Sequence, residues 1–359
     1  MNLEYVPDWP ERKQRYEQWW NGEYFGRAAL WITAPRDDAP DIPPPAQPED
    51  PTRRWTDLDY ISGLNAWQHR RTFYGAEAFP IWSPGYAGAV SVPTFLGSEI
   101  SLDLRTGWHD PVLNGESWKV EDIVFDRDSP WLEFGLKMLN RAARESAGKC
   151  FPSIGAFGGT GDSLASLRDS NRLLFDVVDR PELVSKSEEH MLDIWIEVFE
   201  MFHAIVSPVT DNGCTSWFPL WAPGRFYPTH NDFTYMISPQ MYRDIFLPTL
   251  RRQTEFLDYS VYHVDGINAF AHIPMLCELP KLQAFQVLPG AGKPSPLHYG
   301  EALRAVQSRG KNLHITIPSD EVEQAVKTLS AKGLFIDTNA QSEAEAREII
   351  GIVEKYSHV

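Results

Sequence analysis

The chain has little cysteine. Three occur in 359 residues, Cys150, Cys214 and Cys277, far apart and without a C-x-x-C pair. That excludes a disulfide framework and a cysteine-built zinc module, and makes a reducing cytoplasm the simplest compartment. Basic side chains are also scarce. Thirty-three against forty-nine acidic ones leave a net charge of −16, which repels polyphosphate and anionic lipid and argues against nucleic acid or membrane as a partner. No stretch approaches the ~18 apolar residues of a membrane span. The first twenty residues, MNLEYVPDWPERKQRYEQWW, carry charge where a secretory signal needs an apolar core. A soluble, unprocessed, cytoplasmic protein is expected. No internal repeat is visible.

Aromatic residues are plentiful. Thirteen tryptophans begin at Trp9 and stop at Trp221. They read either as core packing with loop anchors or as the rings walling a wide pocket. With 43% hydrophobic residues the chain can bury a full core, within the range of one large α/β barrel or of two ordinary domains.

The C-terminal third is the most legible. Val261–Asp265, Ala284–Leu288, Leu313–Ile317 and Leu334–Thr338 read as short buried strands separated by helical periodicity. Ser319 before an acidic turn and the Ser342/Glu345 capping box mark helix starts, and Gly333 marks a stop. Strands alternating with helices imply a parallel sheet, open or closed into a barrel. Upstream, Ser238-Pro239 starts a helix that Pro248 kinks. Near the start, PERKQRYEQWWNG is a helix closed by Asn21-Gly22, within an N-terminal extension over 1–27, and Ala28–Thr33 is the first strand. The segment 35–51 holds seven prolines and five acidic residues, so it is a semi-rigid loop, and its place after the first strand suits a lid.

Three segments carry candidate chemistry. His263 and Asp265 lie two apart before Gly266, so they share one face of a strand. At the C-terminal end of a barrel strand such a pair binds a metal or moves protons; in an ordinary strand it is a core histidine beside a turn-capping aspartate. Gly155–Ser163, GAFGGTGDS, lacks the G-K-[ST] and G-x-G-x-x-G patterns of phosphate loops, leaving a tight strand-to-helix turn with Asp162 aimed at a site. Thr215–Pro239 gathers Trp217, Trp221, Arg225, Tyr227 and Asp232, as a binding loop or a hydrophobic mini-core.

The run HNDFTYMISPQMYRDIFLPTLRRQTEFLD followed by VYHVDG resembles the uroporphyrinogen decarboxylase superfamily, in which a D-x5-S-P-x-x-F helix leads to a strand ending in His-x-Cys-Gly or a variant. FPSIGAFGGTGDSLASL and DVVDRPELV are similar to that family's strand, glycine turn and helix start. The resemblance implies a single (β/α)8 barrel over 1–359, and a reaction drawn from porphyrin decarboxylation, zinc-dependent methyl transfer serving corrinoid proteins, or methionine synthesis. Two departures matter. The R-Q-A-G-R run that meets porphyrin carboxylates is absent. Asp265 stands where the methyltransferases place the first zinc-binding cysteine, and Asp337 near the place of the second. The resemblance thus implies a metal set of His263, Asp265 and Asp337, oxygen-rich, suited to zinc, manganese or iron as a Lewis acid more than to thiolate activation.

The expected protein is an enzyme, a transferase or lyase of one-carbon type. His263, Asp265 and Asp232 are its catalytic residues, and Trp217, Trp221, Arg225, Tyr227 and Asp162 bind substrate. A divalent metal such as zinc is its cofactor and a corrinoid protein its partner. A carbohydrate-active enzyme with paired carboxylates and tryptophan platforms is the alternative; a non-catalytic binding protein is a third.

Overall fold

A computed structural model describes residues 1–85 and 87–359. The strands are β1 (Ala29–Pro35), β2 (Thr72–Ala76), β3 (Ile81–Trp82), β4 (Ile100–Leu102), β5 (Gly107–His109), β6 (Phe151–Pro152), β7 (Cys214–Thr215), β8 (Trp221–Ala222), β9 (Phe226–His230), β10 (Tyr259–Asp265), β11 (Ala284–Leu288), β12 (Asn312–Thr316) and β13 (Leu334–Asn339). Seven of them form one sheet in the order β2-β1-β13-β12-β11-β10-β9. Every neighbouring pair is parallel except β1 with β2. The four strands expected in the C-terminal third are all present, joined through helices, and the first strand of the chain pairs with the last.

The closed eight-stranded barrel expected from the sequence is not what the ladders form. The sheet is open, with β2 and β9 at its ends, and β3–β6 and β7–β8 stand as separate two-stranded pairs. On that side the strands are two residues long, flanked or interrupted by Pro80, Pro84 and Pro152, which supply no backbone donor. Single hydrogen bonds continue where ladders lapse: Glu77 N donates to Leu30 O at 2.9 Å and Ile154 N to Thr215 O at 3.2 Å.

The N-terminal helix, Trp9–Trp20, explains much of the tryptophan content. Trp9, Arg12, Tyr16, Trp19 and Trp20 form its buried stripe at helical spacing. That stripe lies across the N-terminal ends of the strands. Trp19 Nε1 donates to Gly333 O just before β13, and Asn312 at the start of β12 donates to Trp19 O. Trp20 Nε1 donates to Trp221 O, while Trp9 meets Phe79, Phe151 and Trp221 edge-on at 4.7–5.4 Å. Trp221 therefore belongs to this aromatic plug. It is fully buried, its Nε1 donates to Thr210 O, and it has no face toward the opposite end of the sheet, where a pocket ring was expected.

Glu77 anchors the same end. It is fully buried and takes a bidentate pair from Arg27 at 2.7 and 2.8 Å, a third bond from Arg15 at 2.5 Å and the Leu30 amide at 2.7 Å. Burial pushes its carboxyl up, but the Arg27 and Arg15 charges and these bonds outweigh it and hold the pKa below the ordinary glutamate value.

Ser319, expected to cap a helix running to Gly333, instead lies within a 3-10 turn (Ser319–Glu321) and donates to Glu345 Oε1 at 2.8 Å, and the helix that follows ends at Thr328, but two other helix signals hold. Ser238 Oγ accepts from Met241 N, and the helix widens into a π turn over Tyr242–Phe246 before resuming at Leu247 beside Pro248. Ser342 Oγ accepts from Glu345 N. The proline-rich segment packs outward on the helix Leu58–Arg71, with Trp67 Nε1 donating to Ile42 O at 2.7 Å and Arg71 to Pro40 O. At its start, Asp37 N donates to Glu343 Oε1 at 3.0 Å, beside the helix that follows β13. Among the described residues no helix is long and apolar enough to cross a membrane.

Two outcomes follow from this packing. Trp221→Ala is expected to lower stability by ~3–5 kcal/mol, read as a shift in the urea midpoint. Glu77→Gln leaves two guanidiniums without their carboxylate and is expected to cost about 3–5 kcal/mol. Because the folded pKa of Glu77 is depressed, its contribution is present above the unfolded value of about 4.3 and fades as pH falls through the folded one. The loss of wild-type stability below about pH 4 should accordingly be steeper than that of Glu77→Gln.

Candidate metal centre and its cleft

At the C-terminal ends of the strands the register brings unlike residues together. In parallel pairs, residues in register share a face. His230 of β9 stands beside His263 of β10, His263 beside Gln286 of β11, Gln286 beside His314 of β12, and His314 beside Phe335 of β13. One layer above, Asp265 follows His263 on the same face. Tyr262 points the other way, its hydroxyl bonded to Tyr242 at 2.9 Å.

His263 is buried, with Nδ1 2.5 Å from Gln286 Oε1. That contact requires a proton on Nδ1, leaving the Nε2 lone pair free, the tautomer a metal ligand needs. Burial and the nearby His230 ring lower its pKa, against opposing pulls from Gln286 and Asp265, so the ring is held neutral. The ligand atoms of Asp232, His263 and Asp265 all lie within 4.8 Å of one another. A metal with bonds of about 2.0–2.2 Å draws such atoms closer, so the three side chains would contract around it.

Asp232 follows β9 in a one-turn 3-10 helix (Asp232–Met236). Its edge is open to solvent, but burial by the surrounding walls, with Asp162 and Asp265 adding repulsion against the pull of His230, raises its carboxyl to about 7. A cation there would displace that proton.

The glycine-rich turn explains how Asp162 arrives. A Cβ on Gly159 would stand 2.4 Å from His230 O, and one on Gly161 2.2 Å from the Asn231 side chain. Only glycine lets this turn lie against the end of β9. The helix Thr160–Arg168 then presents Asp162, whose Oδ1 accepts from Phe233 N at 2.9 Å and whose Oδ2 is 3.5 Å from His230 Nε2. Behind it Glu188 is fully buried, accepts from Thr160 Oγ1 at 2.7 Å, and is raised to about 8 by burial, with the Thr160 bond opposing and Asp162 adding.

Of the remaining residues expected at the site, Trp217 is there. Its ring meets His263 at 5.1 Å and His230 at 5.7 Å, and its buried Nε1 has no hydrogen-bond partner. Trp221 is not there, being part of the aromatic plug. Arg225 immediately precedes β9, at the opposite end of the sheet from Asp265, paired with Asp258 and Glu200. Tyr227 is buried on the helix side, where its hydroxyl accepts from Phe157 N and its ring meets Trp195. Asp337 is not one of the clustered three. It sits beside Thr316, which donates to it at 3.1 Å, and burial raises it to about 6. The group that could hold a metal ion is completed by Asp232.

Sequence reasoning missed His230, Gln286 and His314. The signal was the alternation within each strand, but Pro228 hid β9. A proline fits there because β9 is an edge strand. His314 is fully buried between Phe218 and Phe335, stacked at 5.5 and 5.4 Å, and burial with His263 nearby lowers it to about 3. A cleft of about 460 Å³ opens on the Asp232 side of the cluster, lined among others by Asp162, Asp232, His230, Ser163 and His109 but not by His263 or Asp265.

No protein-family model and no curated protein matches this sequence. The fold is similar to that of a methyltransferase from Methanosarcina mazei, with a TM-score of 0.63 over 96% of this chain and 98% of that one, at 11% identity. The likeness is one of fold, and it runs through almost the whole of both chains.

The Gln286 contact can be tested on its own. Gln286→Leu removes the acceptor that fixes the His263 tautomer; if the group holds zinc, affinity measured by competition with a chromophoric chelator is expected to fall about 10–100-fold, with the far-UV spectrum unchanged.

Proposed function

We propose that this chain is a metal-assisted enzyme of methyl-transfer type, in which Asp232, His263 and Asp265 hold one divalent cation. The observation that carries this is the convergence of three ligand atoms within 4.8 Å beside a histidine whose tautomer is set by Gln286. The donors are one imidazole and two carboxylates, which suit zinc, manganese or iron in place of a thiolate site. Such a cation supplies Lewis acidity toward a hydroxyl or carboxylate oxygen of substrate. Around it His263 contributes its Nε2 lone pair, Asp232 and Asp265 contribute carboxylate oxygens, and Trp217 offers an unpaired N–H to a substrate oxygen. Asp162 and His230 form the neighbouring wall, and Trp217 and Phe218 exclude water from the His263 ring.

The fold likeness to a methyltransferase supports transfer over the lyase reading. In this proposal the short pairs β3–β6 and β7–β8 continue the curve of the sheet around the site, the single bonds beside Leu30 and Thr215 linking them to it. The methyl group would pass to or from an oxygen or nitrogen centre, and a corrinoid protein is a partner consistent with that chemistry. The carbohydrate-active reading is not supported. Its acid and base need to stand about 5–9.5 Å apart, whereas Asp232 and Asp265 offer oxygens closer than that, and Trp221 is not available as a sugar platform.

The test is a panel of ¹³C-methyl-labelled ethers and amines incubated anaerobically with zinc- or manganese-loaded protein and cob(I)alamin, whose cobalt supplies the electron pair for the new Co–C bond. A methyl resonance that moves to the acceptor, stops with chelator and is absent in His263→Ala is expected. Release of labelled carbon dioxide from carboxylated substrates without methyl movement would contradict the proposal and favour decarboxylation.

A further inference from the structure

The cleft that Asp232 shares with Asp162 holds carboxylates and two histidines, His109 and His230. Asp162 and Asp232 line it, and no lysine or arginine does so among the described residues. The rest of the chain reinforces this with its net charge of −16. An anionic substrate would find no lysine or arginine to pair with, at a cost that rises as water is excluded. Even with a divalent cation on the trio, Asp162, Asp232 and Asp265 would exceed it by one charge.

A second observation concerns hydrogen bonding. Ser163 is 2% exposed and its Oγ has no partner, although it lines the cleft; Asp162 Oδ2 also lacks a hydrogen bond, with His230 Nε2 3.5 Å away. Buried polar atoms without partners are expensive. A purely apolar occupant would leave both unpaired, whereas a ligand with a hydroxyl and a positive charge satisfies both.

We infer that the cleft binds a small hydroxyl-bearing organic cation of amino-alcohol type, its charge facing Asp162 and its hydroxyl within reach of Ser163. The volume of about 460 Å³ is ample for such a molecule. This inference names the substrate class of the centre proposed above and rests on that reading for its chemistry, although its electrostatics stand independently of the metal. Asp162 acts here as a binding residue, held in place by the Phe233 amide on its other oxygen.

Titration calorimetry with choline, its neutral isostere 3,3-dimethylbutan-1-ol and the anion 3,3-dimethylbutanoate tests it, on zinc-loaded and chelator-treated protein. Choline is expected to bind about tenfold more tightly than the neutral isostere, equivalent to about 1.4 kcal/mol, with the anion weakest. Asp162→Asn keeps an acceptor for Phe233 N and is expected to abolish that preference. Ser163→Ala, a smaller change at a position with no partner to lose, is expected to weaken choline while the preference for charge persists. Equal or tighter binding of the neutral or anionic probe, or no choline binding at millimolar concentration, would overturn the inference. Cation preference in protein that takes up no zinc would overturn the metal reading alone, and zinc uptake without preference would overturn this one alone.

Discussion

Parallel pairing between β9, β10 and β11 sets the chemistry of this molecule. It places His263 between His230 and Gln286, and because side chains alternate along a strand, it decides that His263 and Asp265 face the interior while Tyr262 and Val264 face the helices. A slip of one residue would exchange those sets. Tyr262 would then lose its partner Tyr242 in the helical layer, and two ionisable groups would be buried against apolar helices without partners. The large cost of that exchange makes the register robust, and the site inherits its geometry from it.

The two ends of the sheet divide the work. At the N-terminal end, the helix Trp9–Trp20 seals the strands with aromatic rings and the Glu77 cluster ties that end to β1. At the C-terminal end, carboxylates and imidazoles gather where backbone turns are short and a cleft admits solvent. The hairpin of β7 and β8 joins them: Trp217 and Phe218 stand beside His263, while Trp221 lies among the rings of the plug. Stability is concentrated away from the chemistry, which leaves the acidic mouth free to carry groups that repel one another.

The same hairpin shows why the sequence was legible in places and misleading in others. Strands β10 to β13 follow the periodicity of their side chains closely because each is buried on both faces and bounded by caps or glycines. The i, i+2 spacing of His263 and Asp265 carried their shared face for the same reason. Reading Thr215–Pro239 as one segment assumed that neighbours in sequence are neighbours in space, and the bend at Trp217–Pro219 between β7 and β8 breaks that assumption for Trp221 and Arg225. His230 and Gln286 depend on register between strands, which no single strand's pattern encodes, and Asp232 completes the cluster because the turn after β9 folds back over β10. The short strands near Pro80 and Pro152 kept the sheet from closing by continuous ladders, a local effect of missing donors within an otherwise regular alternation.

The central claim is that one imidazole and two carboxylates form a single cation site. X-ray absorption at the zinc edge of stoichiometrically loaded protein tests it most directly. The account predicts a first shell of nitrogen and oxygen near 2.0–2.2 Å, with one imidazole signature that disappears in His263→Ala. A sulfur scatterer near 2.3 Å, or an imidazole signature unchanged in that variant, would contradict it.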